Sequence, residues 1–514
     1  PVSYQKRRAR RRQDRTGRHM AWTVFYGDIH NHNAHGYGVG SIERSVDVAR
    51  THLDFFAFTG HSSWHDMERM EGGREQHWSR GFARLRETWP RVQGVIADAN
   101  RDGEFCAFLG FEWHSSAFGD QCVVFPRDHR PIHYADNVAA LRRFCVEEGA
   151  LMIPHHLAYP TGHRGVNWEH FDEACTPVVE VFSEHGNSED DRGPYTFHTH
   201  SMGGRETANT VRAALARGLR FGFVGSSDDH AGFPGAYGEG LMAALCEDLS
   251  RERILEAIRA RRVYALTGDR IEVAFTVDGS PMGASIDAGR EVEVAYTVSG
   301  RDELDVVEVV QDGVVVHRSY PRQATPAAQA FGEPIQLRLE WGWGPWGALA
   351  LDRITDWRMK VELERGAIRR FFPCLQSMPY DEQRRHRFER DGERRLDITS
   401  YTARQNAYRE NPNQSVVLEV MADPGCGVSV DVAAPVSMST TATLGELFDG
   451  SRHWFTGPFP KEAFQWHRIV PLAASSLSDR VSLTVPARCS NVYLRVRQRN
   501  GHMAWVSPVF LNYR

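Results

Sequence analysis

A change of hydrophobic periodicity near Gly268 constrains the fold more than any other feature of this chain. From about Trp22 to Gly268, short apolar runs such as LDFFAFTG and PVVEVFS alternate with amphipathic segments such as ETANTVRAALARG. Strands that alternate with helices predict βα units, and hence a parallel sheet or barrel. Beyond Gly268, segments such as EVEVAYTVSG and MKVELERG alternate polar and apolar residues, which predicts an antiparallel β-sandwich.

The length of 514 residues supports this division, because single cores rarely extend over so many residues. We expect a basic disordered arm at residues 1–20, an α/β domain at 21–270, and a β-rich domain at 271–514 with a less regular insertion near 320–415. The arm contains KRRARRRQDRTGR, in which apolar residues are almost absent, so it should remain solvated. Anionic partners, including nucleic acid, are an alternative for this arm only.

The bulk composition argues against several function classes. A net charge of −5 disfavours a protein that coats nucleic acid or membrane surfaces. No apolar run reaches the roughly 18 residues of a membrane span, and no signal-peptide pattern is present. The eight cysteines form no C-x-x-C pair, which predicts free thiols in a reducing, cytoplasmic compartment. Whether the chain forms a homo-oligomer stays open.

Nearly every predicted strand of the first domain ends in a side chain that binds divalent metals. In a parallel α/β array, the carboxyl ends of the strands meet on one face. The side chains at these ends are Asp28, His30, His32, His61, Glu112, His155, His156, Glu180, Glu184, His185, Asp228, Asp229 and His230. Residues two apart on a strand point to the same side, so His30 and His32 can chelate one ion. Because unpaired ionisable groups cost several kcal/mol to bury, the pattern predicts a site for several metal ions.

Five short motifs follow one another along this domain: GDIHNH, LDFFAFTGH, FLGFEWH, IPHH and GSSDDH. In sequence and order they resemble the motifs of the polymerase and histidinol phosphatase (PHP) superfamily. The resemblance covers residues 22–285. Within the superfamily, the chain resembles a bacterial subfamily in which a β-rich region follows the metal-binding domain. The resemblance implies a distorted (β/α)7 barrel with two or three divalent ions at the strand ends. Mixed imidazole and carboxylate donors suit Zn, Mn or Fe equally.

Carried over position by position, the resemblance implies three metal positions. The ligands would be His30, His32, Glu112 and Asp228 for the first, Glu112, His155 and His185 for the second, and His61 and His230, with His35 as a further candidate, for the third. His156 competes with His155, because side-chain alternation lets only one of them face the cleft. His185 is the least secure of these ligands, because Glu180 and Glu184 lie near it in the sequence and compete for its place. We expect Glu112, Asp228 and His185 to act in catalysis, since Glu112 would touch two ions.

One position departs from the PHP pattern. Gly60 precedes His61 where the superfamily usually has an aspartate. The change removes a carboxylate of the kind that orients a ligating imidazole, so the third metal position should be the weakest.

These residues predict a hydrolase in which metal ions activate a bridging water, with phosphate esters as the best-suited substrates. Arg164 and Arg205 are candidates for binding an anionic substrate group, because a guanidinium forks onto phosphate or carboxylate oxygens. His198 and His200 form another same-side pair and are candidates for substrate contact. The expected partner is therefore a small anionic molecule.

Two other functions remain open at this point. A metal-dependent lyase or hydrolase acting on a uronate-like carbohydrate would use Trp341, Trp343 and Trp346 as platforms for a sugar ring. A protein that binds metal without catalysis is the second alternative, although nearly all the ligand positions keep a competent side chain.

Overall fold

The computed structural model describes residues 22–193, 203–321, 330–343, 354–377, 381–403, 413–459 and 461–514. The basic arm expected at 1–20 lies outside these residues. The elements up to residue 266 are β1 (Thr23–Asp28), α1 (Ile42–His52), β2 (Phe55–Trp64), α2 (Gln76–Ala99), β3 (Cys106–His114), β4 (Gln121–Val124), α3 (Val138–Glu148), β5 (Leu151–Pro154), β6 (Val178–Ser183), β7 (Gly186–Asn187), α4 (Val211–Ala216), β8 (Gly222–Gly225), β9 (Leu241–Cys246), α5 (Arg251–Arg259) and β10 (Val263–Leu266).

The strands of this part form a mixed sheet in the order β10-β9-β1-β2-β3-β4-β5. β1, β2 and β3 are parallel, whereas β4, β9 and β10 run antiparallel to their neighbours. A smaller sheet contains the parallel pair β6 and β8, which lie beside β5 and β10. The mixed α/β class is confirmed. A regular (β/α)7 barrel is not, because β3 and β4 form a hairpin and the described residues up to 266 contain only five α-helices.

Helix α2 shows how the sequence builds the wall behind the site. Its buried residues recur every three or four positions and so form one apolar face: Phe82, Leu85, Trp89, Val92 and Ile96. This face packs on β2 and β3. The two strands are parallel, with His61 level with Glu112. The helix and the register together fix the two polar strand ends side by side.

The remaining elements are almost entirely strands. They are β11 (Glu272–Val277), β12 (Ser280–Pro281), β13 (Ser285–Ala288), β14 (Glu291–Ser299), β15 (Leu304–Gln311), β16 (Val314–Ser319), β17 (Ile335–Trp343), β18 (Ile354–Leu363), β19 (Ala367–Cys374), β20 (Arg387–Asp391), β21 (Arg395–Ala403), β22 (Gln414–Met421), β23 (Gly427–Ala434), β24 (Met438–Thr443), α6 (Leu444–Asp449), β25 (Arg452–Phe455), β26 (Glu462–Trp466), β27 (Val470–Pro471), α7 (Leu472–Ser475), β28 (Ser476–Thr484), β29 (Ser490–Gln498), β30 (Met503–Val506) and β31 (Val509–Tyr513).

Two antiparallel sheets share one apolar core in this half of the chain. One has the order β19-β22-β17-β26-β25 and the other β20-β21-β18-β23-β24. Alternate residues of β17, such as Leu337 and Leu339, meet alternate residues of β18, such as Trp357 and Val361, in that core. The stretch 320–415, expected to be less regular, contributes five of these strands in its described part, because the same alternation of polar and apolar residues continues through it.

The final strands return to the first sheet. β30 pairs with β10, and β29 and β31 extend the same sheet beyond it. All eight cysteines are free, and Cys489 alone among them is exposed. Among the described residues, no helix combines the length and the apolar composition that a membrane crossing requires.

Candidate metal centre

Asp228 lies at the centre of the histidine cluster, and its two carboxylate oxygens face different imidazoles. Oδ1 lies 2.9 Å from His32 Nε2 and 3.3 Å from His30 Nε2. Oδ2 lies 3.1 Å from His155 Nε2 and 3.1 Å from His185 Nε2. All these residues except His185 are buried. The four histidines, from three separate parts of the chain, therefore meet around one carboxylate.

Glu112 is the second shared carboxylate. Its Oε2 atom lies 3.5 Å from His32 Nε2, 3.6 Å from His61 Nε2 and 3.8 Å from His30 Nε2. A third group of imidazoles adjoins it, because His61 Nε2 is 3.1 Å from His230 Nε2 and the His61 ring stacks on His32 at 3.7 Å. The structure thus brings together every residue expected in the first and second metal positions, together with His61 and His230 of the third.

The backbone around Asp228 is held by hydrogen bonds to the first strand end. Asp228 N donates to His30 O at 2.8 Å, and His32 N donates to Asp229 O at 2.8 Å. The Asp28 carboxylate accepts hydrogen bonds from the backbone N–H groups of His30 and Ser227. Burial raises the pKa of Asp28 to about 6 despite these hydrogen bonds. Asp28 is therefore a structural link between two strand ends.

A residue in the left-handed backbone conformation brings together two side chains that would point to opposite sides of a regular strand. β5 ends at Pro154, and His156 then has a φ of 57°. Its ring lies 3.6 Å from the ring of His155, so both imidazoles join the cluster. The expectation that only one of them faces the cleft is wrong, because alternation applies only within the strand. Asp228 also has a φ of 57°, the kind of strain that concentrates at functional sites.

Other carboxylates and hydroxyls support the imidazoles from behind. Glu180 contacts His30 Nδ1 at 2.9 Å and His155 Nδ1 at 2.5 Å. The Tyr159 hydroxyl lies 3.1 Å from His185 Nδ1. Glu180 was expected only as a competitor of His185, since the sequence does not indicate which imidazoles its carboxylate meets. Glu184 lies 3.6 Å from His230 Nδ1.

His35 is bonded to a helix instead. Its Nδ1 atom lies 2.7 Å from Thr88 Oγ1 on α2. At Gly60, the position of the missing aspartate, an added Cβ would lie 2.5 Å from Phe58 Cζ and 3.1 Å from Leu85 Cδ1. The glycine is explained by packing, because the Phe58 ring covers this position.

The charges of the cluster suit a bound cation. Burial and the nearby His230 lower the pKa of His32 to about 3, although Asp228 opposes this. Burial also opposes ionisation of Glu112, but His114 and His30 hold its pKa well below the usual range. Ionised carboxylates therefore face the neutral imidazole of His32, whereas Glu180 and Asp228, against the effect of burial, raise the pKa of His155 to about 9. Such nitrogen and oxygen donors fit a divalent metal ion.

Beside Glu112 lies a buried network of three residues: His114, Asp120 and Arg164. Arg164 Nε donates to Asp120 Oδ2 at 2.9 Å, and Arg164 Nη2 lies 3.0 Å from His114 Nδ1. The same His114 nitrogen is 3.4 Å from Glu112 Oε1. Arg164 was a candidate from the sequence, whereas His114 was not. The spacing of two residues after Glu112 on β3 would have indicated it, as it did for His30 and His32.

Of the other substrate-binding candidates, Arg205 is the one that lies within the described residues. Arg205 is half-buried and lies within the electrostatic influence of Asp191 and Asp190. His198 and His200 lie outside the described residues, as does Trp346. Trp341 is fully buried in the sandwich, where its Nε1 donates to Ser400 Oγ, so its expected role as a sugar platform is wrong.

Comparison with known proteins leaves the family open. No family model matches the chain. Uncharacterised proteins of Chlamydia pneumoniae and Chlamydia muridarum are each 26% identical to it over 258 and 259 residues, and these alignments cover 46% of this chain and 41% of each relative. The matched segment therefore spans less than half the length of these relatives. A solved structure from Bacteroides vulgatus, a two-domain protein containing a predicted PHP-like metal-dependent phosphoesterase, is similar over 82% of this chain and 96% of that chain, at 12% identity. The TM-score of 0.32 does not establish a common fold.

Proposed function

We propose that this protein is a metal-dependent hydrolase, and specifically a phosphoesterase that acts on a small anionic substrate. The observation that carries the proposal is that the two carboxylate oxygens of Asp228 face two different pairs of imidazoles. Each oxygen lies 2.9–3.3 Å from the Nε2 atoms of its pair, a separation typical of two ligands of one metal ion. A carboxylate so divided suits two neighbouring cations, whose mutual repulsion it lowers. A single structural ion would leave half of these donors unused.

The donors divide into three groups, which would hold two or three divalent ions. His30, His32, Glu112 and Asp228 would hold the first, and His155, His185 and the other oxygen of Asp228 would hold the second, with His156 beside them. His61 and His230 would hold the third. When bound, such ions lower the pKa of a water molecule and offset the charge of a phosphoryl group. Mixed imidazole and carboxylate donors suit Zn, Mn and Fe.

Arg164 is the residue we propose for binding the substrate anion. Its exposed fraction is only 8%, and Asp120 fixes the guanidinium through Nε. Nη2 donates to the same Asp120 oxygen and lies 3.0 Å from His114 Nδ1, so Nη1 is the charged donor that we propose for a phosphate oxygen at low dielectric. His114 would then contact the same anion from the side of Glu112. Arg205, His198 and His200 stay proposals for the rim of the site.

An assay of the purified full chain tests the reaction class. With Zn or Mn added, we expect phosphate release from an aryl phosphate monoester, and loss of this activity on chelation. Formation of an unsaturated, ultraviolet-absorbing product from a polyuronate, without phosphatase activity, would favour the carbohydrate alternative. Less than one equivalent of tightly bound metal in the active preparation would contradict the proposed mechanism.

The variant Glu112→Gln tests the site within this assay. Because the amide keeps only one of two acceptor oxygens and carries no charge, we expect kcat to fall at least about a hundredfold and the metal content to drop. Trp343→Ala is the matched control, since Trp343 pairs with Glu462 in the sandwich sheet, and it should keep the metal content of the unmodified protein. Full activity of Glu112→Gln would show that the proposed ligand set is wrong.

A further inference from the structure

We propose that Glu180 is a positioning residue that fixes one imidazole at each of two metal positions and so couples them. Its two carboxylate oxygens are divided between two histidines. Oε2 lies 2.9 Å from His30 Nδ1, and Oε1 lies 2.5 Å from His155 Nδ1. Glu180 is buried, with an exposed fraction of 3%. This inference rests on the metal centre proposed above and extends it to a residue that has no place among the ligands.

An irregularity in β6 directly follows this carboxylate. The strand pairs in parallel with β8, and the register shifts between Glu180 and Phe182. Such bulges re-aim side chains next to active sites. The flanking Val179, Val181 and Phe182 all belong to one apolar cluster, whereas Glu180 faces the imidazoles. The strand thus carries one carboxylate, that of Glu180, into a largely apolar layer.

The geometry sets the tautomer of both rings. An ionised carboxylate only accepts hydrogen bonds, so the Nδ1 atoms of His30 and His155 must donate. Each Nε2 is then left as the atom that faces Asp228, at 3.3 Å for His30 and 3.1 Å for His155. The two rings are 4.3 Å apart and nearly perpendicular, at 89°. Glu180 therefore orients the Nε2 lone pairs of His30 and His155 towards the metal centre from two directions.

Replacing Glu180 by glutamine should weaken metal binding at one of the two positions and leave the other intact. The amide has one acceptor oxygen and one donor nitrogen in place of two acceptors. One imidazole can keep its Nδ1–H bond to the oxygen, but the other must accept from the amide. Its own hydrogen then lies on Nε2, which blocks metal binding at that atom. A removed negative charge alone would weaken both positions to a similar degree.

The experiment measures metal directly and does not depend on turnover. The full chain, Glu180→Gln and Glu189→Gln are loaded with Zn, dialysed and analysed for bound metal, and zinc affinity is measured by competition with a chelator. Glu189→Gln is the matched control because Glu189 is equally buried but contacts Arg495, Tyr493 and Trp505 instead of these imidazoles. We expect Glu180→Gln to lose about one equivalent, or to bind one ion 10- to 100-fold more weakly, and the control to bind normally.

The outcomes separate this inference from the proposed function. If the unmodified chain binds two or more ions and Glu180→Gln binds them with equal affinity, the role of Glu180 is refuted while the metal centre stands. If the unmodified chain binds no metal, both are refuted. Should Glu180→Gln fail to fold, Glu180→Asp decides the matter, because its shorter carboxylate keeps the charge but cannot reach both rings. Unchanged metal content and affinity in Glu180→Asp would then overturn the inference.

Discussion

At the scale of single residues, the centre is built by dividing each carboxylate between partners. Asp228, Glu112 and Glu180 each face two or more imidazoles through separate oxygens. A carboxylate-to-amide substitution leaves one acceptor oxygen in place, and it therefore removes the contacts of only one of the two oxygens. The residues packed behind these carboxylates are apolar, and they limit which polar groups can be added.

Gly60→Asp would restore the carboxylate that the PHP pattern has before His61. We expect it to destabilise the protein by about 1–3 kcal/mol, because the added Cβ would lie 2.5 Å from the Phe58 ring in a closely packed core. Urea denaturation of the metal-free proteins measures the loss.

Gly94→Asp is the control for this substitution, since a Cβ at Gly94 meets no atom within 4 Å. It should change the free energy of unfolding by less than about 1 kcal/mol. Equal stability of Gly60→Asp and the unmodified chain would show that the Phe58 ring moves aside readily, and that packing does not explain the glycine.

Alternation within strands predicted much of this site, and it failed where the backbone leaves the strand. His30, His32, His61, Glu112 and Asp228 were predicted because each lies near the end of a predicted strand. The left-handed φ of His156 and the bulge after Glu180 carry no pattern in the sequence that distinguishes them from regular strand. The same rule would have found His114, which was missed because its neighbour Glu112 already explained the motif.

At the scale of elements, helix α1 supports the loop that follows Asp228. His52, in its last turn, is buried, and its Nε2 lies 2.9 Å from Pro234 O. Burial and the nearby Arg270 lower the pKa of His52 from 6.5 to about 3. The imidazole is therefore neutral in the folded protein and donates to the loop carbonyl. Below pH 6.5 the unfolded chain therefore binds a proton at His52 that the folded protein does not bind.

This difference predicts acid sensitivity. Between pH 6.5 and about 3 the unfolded state binds a proton at His52 that the folded state does not, so the free energy of unfolding falls with falling pH by about 1.4 kcal/mol per pH unit. Between pH 6.5 and 5 the loss is about 2 kcal/mol, and above pH 7.5 it vanishes. Urea denaturation at several pH values, with chelator present to remove metal effects, measures the slope.

His52→Gln isolates this contribution, because glutamine can donate to the same carbonyl without titrating. We expect the variant to match the unmodified chain at pH 8 and to have a shallower slope below pH 6.5. Identical slopes would mean that His52 is protonated in the folded protein, or that its environment admits water.

At the scale of the whole molecule, the last strands belong to the same packed unit as the metal-bearing half. Tyr493, Met503, Trp505 and Phe510 share one apolar cluster with residues of β6 and β8. Trp505 Nε1 also donates to Glu189 Oε2 at 2.7 Å. The change of periodicity near Gly268 predicted a boundary between α/β and β-rich sequence. It could not indicate this return, because a strand pairing across more than 200 residues leaves no local pattern.

A fragment of residues 22–270 is therefore expected not to fold alone, although the sequence suggests a domain boundary there. Loss of four large buried side chains removes about 1.5–3 kcal/mol each, and so about 6–12 kcal/mol in total, which approaches the whole stability of a typical domain of 5–15 kcal/mol. Circular dichroism and urea denaturation of the fragment should show no cooperative transition, and co-expression with residues 271–514 should restore one. A fragment that unfolds cooperatively and binds metal as the full chain does would place the energetic boundary at Gly268 after all, because the final strands would then only cover a core that is complete without them.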